Sequence, residues 1–266
     1  ELSLRVCELL DWKAPNGKLK EMSCRTALLK LNRQGVVPLP KPRGFFLPKK
    51  KGGQASMAQI DAVCCSLQEL GGVELVKINS RYSKDSRLWN DLMDAFHYLG
   101  SGPLCGAQMR YLIRSSVHGV LGALALSAAA WRVAARDRWI GWSDEARGEH
   151  LSKVVCNSRF LILPQVRVAN LASRVLSLCV ERLEQDWRER YGFAPVLLET
   201  FVERGRFSGA CYRAANWRFV GTTSGRGRQD RDRTGSLPVK DVYVLPLRKG
   251  ARAELCGESP RIVVKE

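Results

Sequence analysis

Apolar residues recur along this chain with two periods, and the change of period marks its elements. Leu2, Val6, Leu9 and Leu10 fall on one face and predict a helix over 2–10. A turn cluster of Pro15, Asn16 and Gly17 follows, and then a cationic helix over 24–34, with Ser23 as its expected cap and Gly35 as its stop. Residues 36–40 read as extended. Helix, turn, cationic helix, glycine and extended segment is the order expected of a winged-helix or helix-turn-helix unit; a plain helical hairpin has the same pattern. Residues 57–70 predict a helix and 73–79 a strand. A helix over 87–99 carries Leu88, Leu92, Met93 and Phe96 on one stripe. Segments 111–115, 119–134 and 139–142 read as strands, 144–152 as a helix and 157–163 as a strand. Residues 170–191 form the longest expected helix, with Leu171, Val175, Leu178, Leu183 and Trp187 at helical spacing. Strands at 195–203, 209–220 and 242–246 complete the pattern. Strands on both sides of a long central helix predict an α+β domain with one mixed sheet. The expected organisation is a helical unit over 1–48, a basic linker and connecting helix over 49–75, the α+β domain over 76–250 and a tail over 251–266.

Charge adds to this picture because it is unevenly placed. The 266 residues carry a formal net charge of +17. Residues 1–52 hold 12 Lys and Arg against 4 Asp and Glu, and residues 204–233 hold 8 Arg against 2 Asp. Two cationic ends around a nearly balanced middle suggest contact with a polyanion. Within the second cationic stretch, Gly221, Gly225 and Gly227 frame Thr222, Thr223, Ser224, Arg226 and Arg228. Glycines free the backbone where a Cβ would clash, hydroxyls donate to oxygen, and guanidinium forks match phosphate. That loop is expected to contact phosphate, and a hairpin connection is the plainer alternative. Arg25, Lys30 and Arg33 on the cationic helix, and the run Lys49-Lys50-Lys51, are further expected contacts. Asn216 and Trp217 pair an amide with an indole, a combination that reads and stacks a base, although Trp on a strand is more often core.

Other chemistry is sparse. Nine cysteines with no CxxC spacing and three histidines give no zinc pattern, so no metal is expected, and the cysteines suggest a reduced, cytoplasmic protein. The most apolar run, 117–130, is too short to span a bilayer, so no membrane association is expected. Candidate catalytic groups are His97 as a general base, Glu199 as a carboxylate base and Cys211 as a nucleophile. Each also has a bland reading: a helix-end cation, an ion-pair partner and a buried small residue.

Several ordered segments resemble a known family. They are His97-Tyr98-Leu99-Gly100, Gln108 to Leu112, Asn170 to Leu176, Glu199-Thr200-Phe201-Val202, and Cys211 to Trp217 continuing through Gly221 to Arg228. Together they are similar to the DruA family, proteins of Druantia anti-phage systems with relatives in mobile elements. The resemblance implies a place in phage defence or mobile DNA and brings no established reaction. The segment around residue 160 has a second resemblance, to GNAT acyltransferases. In that fold a central strand splays from its neighbour and leads into a helix whose N-terminus holds the coenzyme A pyrophosphate. The GNAT pattern Arg/Gln-x-x-Gly-x-Gly/Ala falls on Arg167, Asn170 and Ala172. Asn170 stands where the first glycine is expected, and its Cβ crowds the approach to phosphate.

Two functions follow as expectations. The first is a nucleic-acid-binding protein, with DNA as the expected form, in a DruA-like defence or mobile-element system. It would need no cofactor and would act beside other defence-system proteins. The alternative is an acyl-CoA-dependent N-acyltransferase of GNAT-like fold using acetyl-CoA. Whether the chain is an enzyme stays open at this point.

Overall fold

The computed structural model describes residues 2–13, 17, 19–40, 61–225 and 237–258. Two compact units divide the chain, Glu1–Gly53 and Gln54–Glu266. Lys49, Lys50, Lys51, Arg226 and Arg228, with Arg231 and Arg233, lie outside the described residues.

In the first unit α1 (Leu2–Leu9) packs on α2 (Glu21–Arg33). Cys7 and Cys24 are buried, and Ser3 Oγ donates to Glu21 Oε1 at 3.3 Å. α2 begins before Ser23, which therefore lies inside the helix and caps nothing. Its end is a left-handed glycine stop: Gly35 has φ +73°, and Val36 N–H reaches back to Leu31 O. A helix-turn-helix joins its helices through about 3–4 residues. Here the connection runs from Leu10 to Lys20 and is closed by a bridge between Lys13 and Leu19. Among the described residues of this unit no strand follows α2. Within the described residues the unit is a pair of packed helices, the helical unit expected at this end of the chain.

The second unit is built on a seven-stranded mixed sheet. In chain order come β1 (Val63–Cys64), β2 (Val73–Lys77), α3 (Lys84–Phe96), β3 (Gln108–Ser115), β4 (Gly119–Ala128), α4 (Ala134–Ile140), α5 (Asp144–His150), β5 (Val154–Ile162), β6 (Val166–Arg167), α6 (Leu171–Tyr191), β7 (Leu197–Glu203), α7 (Ala210–Ala214), β8 (Arg218–Thr222), β9 (Lys240–Pro246) and α8 (Ala251–Leu255). The order across the sheet is β2-β3-β4-β5-β7-β9-β8. Every neighbouring pair is antiparallel except β5 and β7, which α6 joins by crossover. This is the GNAT-like α+β arrangement expected above. β1 and β6 form a separate parallel pair.

The central strands are hydrophobic on both faces because both are covered. Trp89, Leu92 and Met93 of α3 join Leu124 and Leu126 of β4 in the main core, and Trp89 Nε1 donates to Leu124 O at 3.1 Å. α6 adds Val175, Cys179, Leu183 and Trp187. A second cluster gathers Ile140, Trp142, Val154, Leu197, Val244 and Leu255. Gly122 is there for space: a Cβ at this position would stand 2.1 Å from Leu161 O of the neighbouring strand.

Three expected elements differ. Residues 139–142 belong to the end of α4, which Gly141 closes at φ +85°; a short apolar run has no period to separate strand from helix. The stretch 209–220 is α7 followed by β8, with Asn216 turning the chain at φ +62°. The described part of 57–70 holds β1 and a turn, with no helix.

Candidate active site

β5 and β7 pair only from Val154↔Leu197 to Asn157↔Thr200. Beyond that point β5 stays bonded to β4 as far as Ile162, and β7 stays bonded to β9 as far as Glu203. The two strands therefore part as a wedge with unshared backbone edges facing each other. The cause is local. The β4–β5 register shifts between Ala125 and Leu126, leaving Ser158 as an extra residue, and a bulge of this kind bends its strand.

Asn157 holds the branch point. Its Nδ2 donates to Ala125 O (3.2 Å) and Arg159 O (3.1 Å), and its Oδ1 accepts from Tyr212 Oη at 2.8 Å. Thr200 Oγ1 donates to Asn157 O at 3.0 Å. Burial raises the Tyr212 phenol well above its ordinary range, so it keeps its proton.

The wedge opens into a cleft of about 270 Å³, walled by the His97–Leu99 segment, by Arg159 and Phe160 of β5, by Phe207 and Cys211, and by Lys240. Open strand ends beside a helix N-terminus are where α/β sheets bind ligands. His97 stacks on Tyr98 (5.0 Å), and Tyr98 packs on Phe207 (5.6 Å). Burial, helped by Arg159, lowers the His97 imidazole to about 4, so it is neutral at pH 7. Leu99 N–H donates to His97 Nδ1 at 3.2 Å. A neutral ring that accepts at Nδ1 carries its proton on Nε2, so the outward nitrogen is a donor. A neutral imidazole does not fit the reading of His97 as a helix-end cation, and its Nδ1 is engaged by Leu99 N–H.

Cys211 lines the cleft and Glu199 does not. Cys211 lies in α7 rather than on a strand, and burial raises its thiol, so it is not a thiolate. Glu199 alternates with Thr200 along β7 and points to the opposite face. There its carboxylate is 0% exposed, 2.9 Å from Arg136 Nη1, and accepts from Ala130 N–H at 3.3 Å. Burial pushes its pKa up and Arg136 opposes the rise.

The segment proposed for pyrophosphate follows β5. Arg167 is exposed in β6, where it pairs with Cys64 of β1. Asn170 is the N-cap of α6 in the left-handed region, φ +62°, and its side chain makes no cap bond. Asn tolerates that conformation better than other side-chain-bearing residues, so it takes the glycine's place. Ala172 sits in the first turn, which holds no acidic residue.

Several of the described residues offered to nucleic acid are otherwise engaged. Trp217 is 4% exposed and packs edge-on against Tyr212 at 5.1 Å, and Asn216 is a turn residue. Arg25 pairs with Glu21 at 2.8 Å, while Lys30 and Arg33 are exposed on α2. Arg204 pairs with Asp241, and Arg206 with Glu203. Thr222 and Thr223 open the β8–β9 hairpin, where Thr223 Oγ1 accepts from Lys240 N–H at 3.0 Å. Gly221 has φ +135° at a β-bulge, and a Cβ there would meet Ala135 Cβ at 3.0 Å.

Among the described residues no group of three or more His, Cys, Asp or Glu could hold a metal ion. No described helix is long and apolar enough to cross a membrane.

Comparison with solved structures returns N-acetyltransferases. Mutant forms of the spermidine/spermine N-acetyltransferase SpeG from Vibrio cholerae align at TM-score 0.43 and 9% identity, over 66% of this chain and 95% of that one. Spermidine N-acetyltransferase from Vibrio cholerae in complex with CoA and spermine aligns at TM-score 0.41 and 9% identity, over 66% and 95%. Nourseothricin acetyltransferase aligns at TM-score 0.34 and 12% identity, over 53% of this chain and 66% of that one. No curated protein matches the sequence. The described contacts do not form a nucleic-acid surface, since Trp217 is buried, Asn216 turns the chain and Arg25 is ion-paired, and the nucleic-acid reading is corrected. The motifs that line the wedge, His97–Gly100, Glu199–Val202 and Cys211–Trp217, all fall inside residues 49–235, which match the family described as Druantia protein DruA, and this chain belongs to that family.

Proposed function

We propose that this DruA-family chain is an acyl-CoA-dependent N-acyltransferase serving a Druantia anti-phage system. The observation that carries the reading is the parting of β5 from β7 after Asn157 and Thr200. It leaves two unshared strand edges above a cleft, at the C-terminal end of a parallel pair. An extended amide-bearing arm can add to such edges as an extra strand does.

The residues present fit acyl-CoA. The first turn of α6 offers amide donors with no acidic side chain to repel an anion, and Arg167 stands exposed before it. Arg167, Asn170 and Ala172 would hold the pyrophosphate, and the edges of residues 158–162 and 201–203 would hold the arm. When bound, the thioester supplies an activated acyl carbon.

The remaining roles belong to side chains of this chain. Phe160 and Phe207 make the cleft apolar and exclude water. His97 presents Nε2–H as a neutral donor toward developing negative charge on a carbonyl oxygen. Tyr212 spends its proton on Asn157, which makes it a positioning residue that keeps the wedge open. Among the described residues no carboxylate lines the cleft. The acceptor amine therefore reacts in its neutral form, which an apolar cleft favours.

Titration calorimetry of the full chain with acetyl-CoA tests the proposal. Saturable binding near ~micromolar Kd is expected, with release of free thiol when an acceptor amine is added. Absence of saturable binding would reject it.

A further inference from the structure

Two cations border the cleft without counter-ions among the described residues. Arg159 is half-buried; its Nε donates to Gly100 O at 2.9 Å and its Nη1 to Ser158 O at 2.8 Å. Those bonds aim the guanidinium at the wall formed by the His97–Gly100 segment and leave Nη2 uncommitted. Lys240 enters from β9, and its backbone is fixed to Thr223. Among the described residues neither Arg159 nor Lys240 forms an ion pair.

The nearby acids are occupied elsewhere. Glu203 lies opposite Lys240 in the β7–β9 register but pairs with Arg206 at 3.1 Å. Asp241 pairs with Arg204, and Glu199 pairs with Arg136 on the other face. Asp94 Oδ1 accepts from Ser101 N–H at 2.6 Å. Holding a guanidinium partly out of water with no anion is costly, and the cost falls when an anion arrives. Burial lowers the pKa of Arg159, in keeping with an unneutralised cation. A planar fork matches a carboxylate, and a desolvated fork–carboxylate contact is among the stronger polar interactions.

We infer that the acceptor of this cleft is an amine that also carries a carboxylate, an amino acid or a chain ending in one, held by Arg159 with help from Lys240. The inference rests on the acyltransferase reading for the word acceptor alone; the anion preference stands on the cleft itself. Arg159 belongs to the splayed part of β5, and its bonds to Gly100 O and Ser158 O turn the guanidinium toward the segment after α3, the wall at which its charge is presented. A polyamine would meet two like charges and no acid.

L-phenylalanine and phenethylamine differ only by the carboxylate and suit the aromatic walls. Calorimetry on the full chain, with and without acetyl-CoA, should show L-phenylalanine binding at least ~10-fold tighter than phenethylamine. R159Q should erase that difference. K240Q should reduce it, which keeps the test valid if R159Q fails to fold. Equal or tighter binding of phenethylamine or spermidine would overturn the inference, as would discrimination that survives R159Q. Inorganic phosphate competing as well as L-phenylalanine would assign a phosphate site instead. An Arg159-dependent gain for succinyl-CoA over acetyl-CoA would move the carboxylate from the acceptor to the acyl chain and overturn the assignment. Carboxylate preference without acetyl-CoA binding would leave this inference standing and sink the acyltransferase reading.

Discussion

Tyr212 Oη donates to Asn157 Oδ1 across 2.8 Å, and Asn157 is the last residue of β5 that pairs with β7. One bond thus ties α7 to the branch point of the sheet. Asn157 also satisfies Ala125 O and Arg159 O with its amide, so the bulge, the splay and the helix share one side chain. A bulge beside an unpaired edge is a recurrent way to aim residues at a site.

Tyr212→Phe keeps the ring against Trp217 and removes this bond together with the longer one that Tyr212 Oη accepts from Thr200 Oγ1 at 3.4 Å. It leaves a buried acceptor unsatisfied, which costs about 1–3 kcal/mol. Urea unfolding should show that loss, and acetyl-CoA affinity should fall with it because the wedge is less well held. Unchanged stability would remove Tyr212 from its positioning role.

Arg136 and Glu199 form a buried pair at 2.9 Å on the face away from the cleft. Arg136→Met should cost about 3–5 kcal/mol, because Glu199 is left charged or unpaired in the core. Replacing both, as Arg136→Met with Glu199→Gln, should recover part of that loss. The double variant should bind acetyl-CoA as the parent does; loss of binding at a temperature where it is folded would return Glu199 to the active site.

Acid stability gives a third check. His97 is held at about 4, below the value near 6.5 of an unfolded histidine. Between these values the unfolded chain binds more protons, so stability rises with pH. Tm should therefore fall as pH drops from 6.5 toward 4, and His97→Gln should flatten that slope. Asp186 extends the fall below pH 4: burial pushes its carboxyl up, but bonds from Arg182, Lys77 and Tyr111 bring it below its usual range. Its contribution is lost as pH falls through that lowered value.

Gly122→Ala tests the packing of β4 on β5. The added Cβ would meet the backbone oxygen of Leu161, which cannot swing aside. A loss of about 3 kcal/mol or more is expected in urea unfolding, since overpacking against a fixed strand has no cheap relief.

Much of the scaffold is readable without coordinates because its periods are long. The helical stripe from Leu171 to Trp187 and the apolar strand before it leave little choice. The run Trp139-Ile140-Gly141-Trp142 is too brief to show a period, and α7 hides between glycine and Asn216. Thr200 and Tyr212 stand within the motifs that carry the family resemblance, so a signal for them exists. Asn157, Arg159 and Lys240 have none, since their meaning comes from a bulge and from strands distant in sequence. Counting charges misled for a related reason. Arg25 looks like a free cation in a list, yet Glu21 stands beside it.

Amide hydrogen exchange of the full chain, with and without acetyl-CoA, addresses the wedge most directly. Residues 158–162 of β5 and 201–203 of β7 should slow together on saturation, as an added strand covers their open edges. Saturable binding with protection confined to other segments, or no change at either edge, would contradict the account.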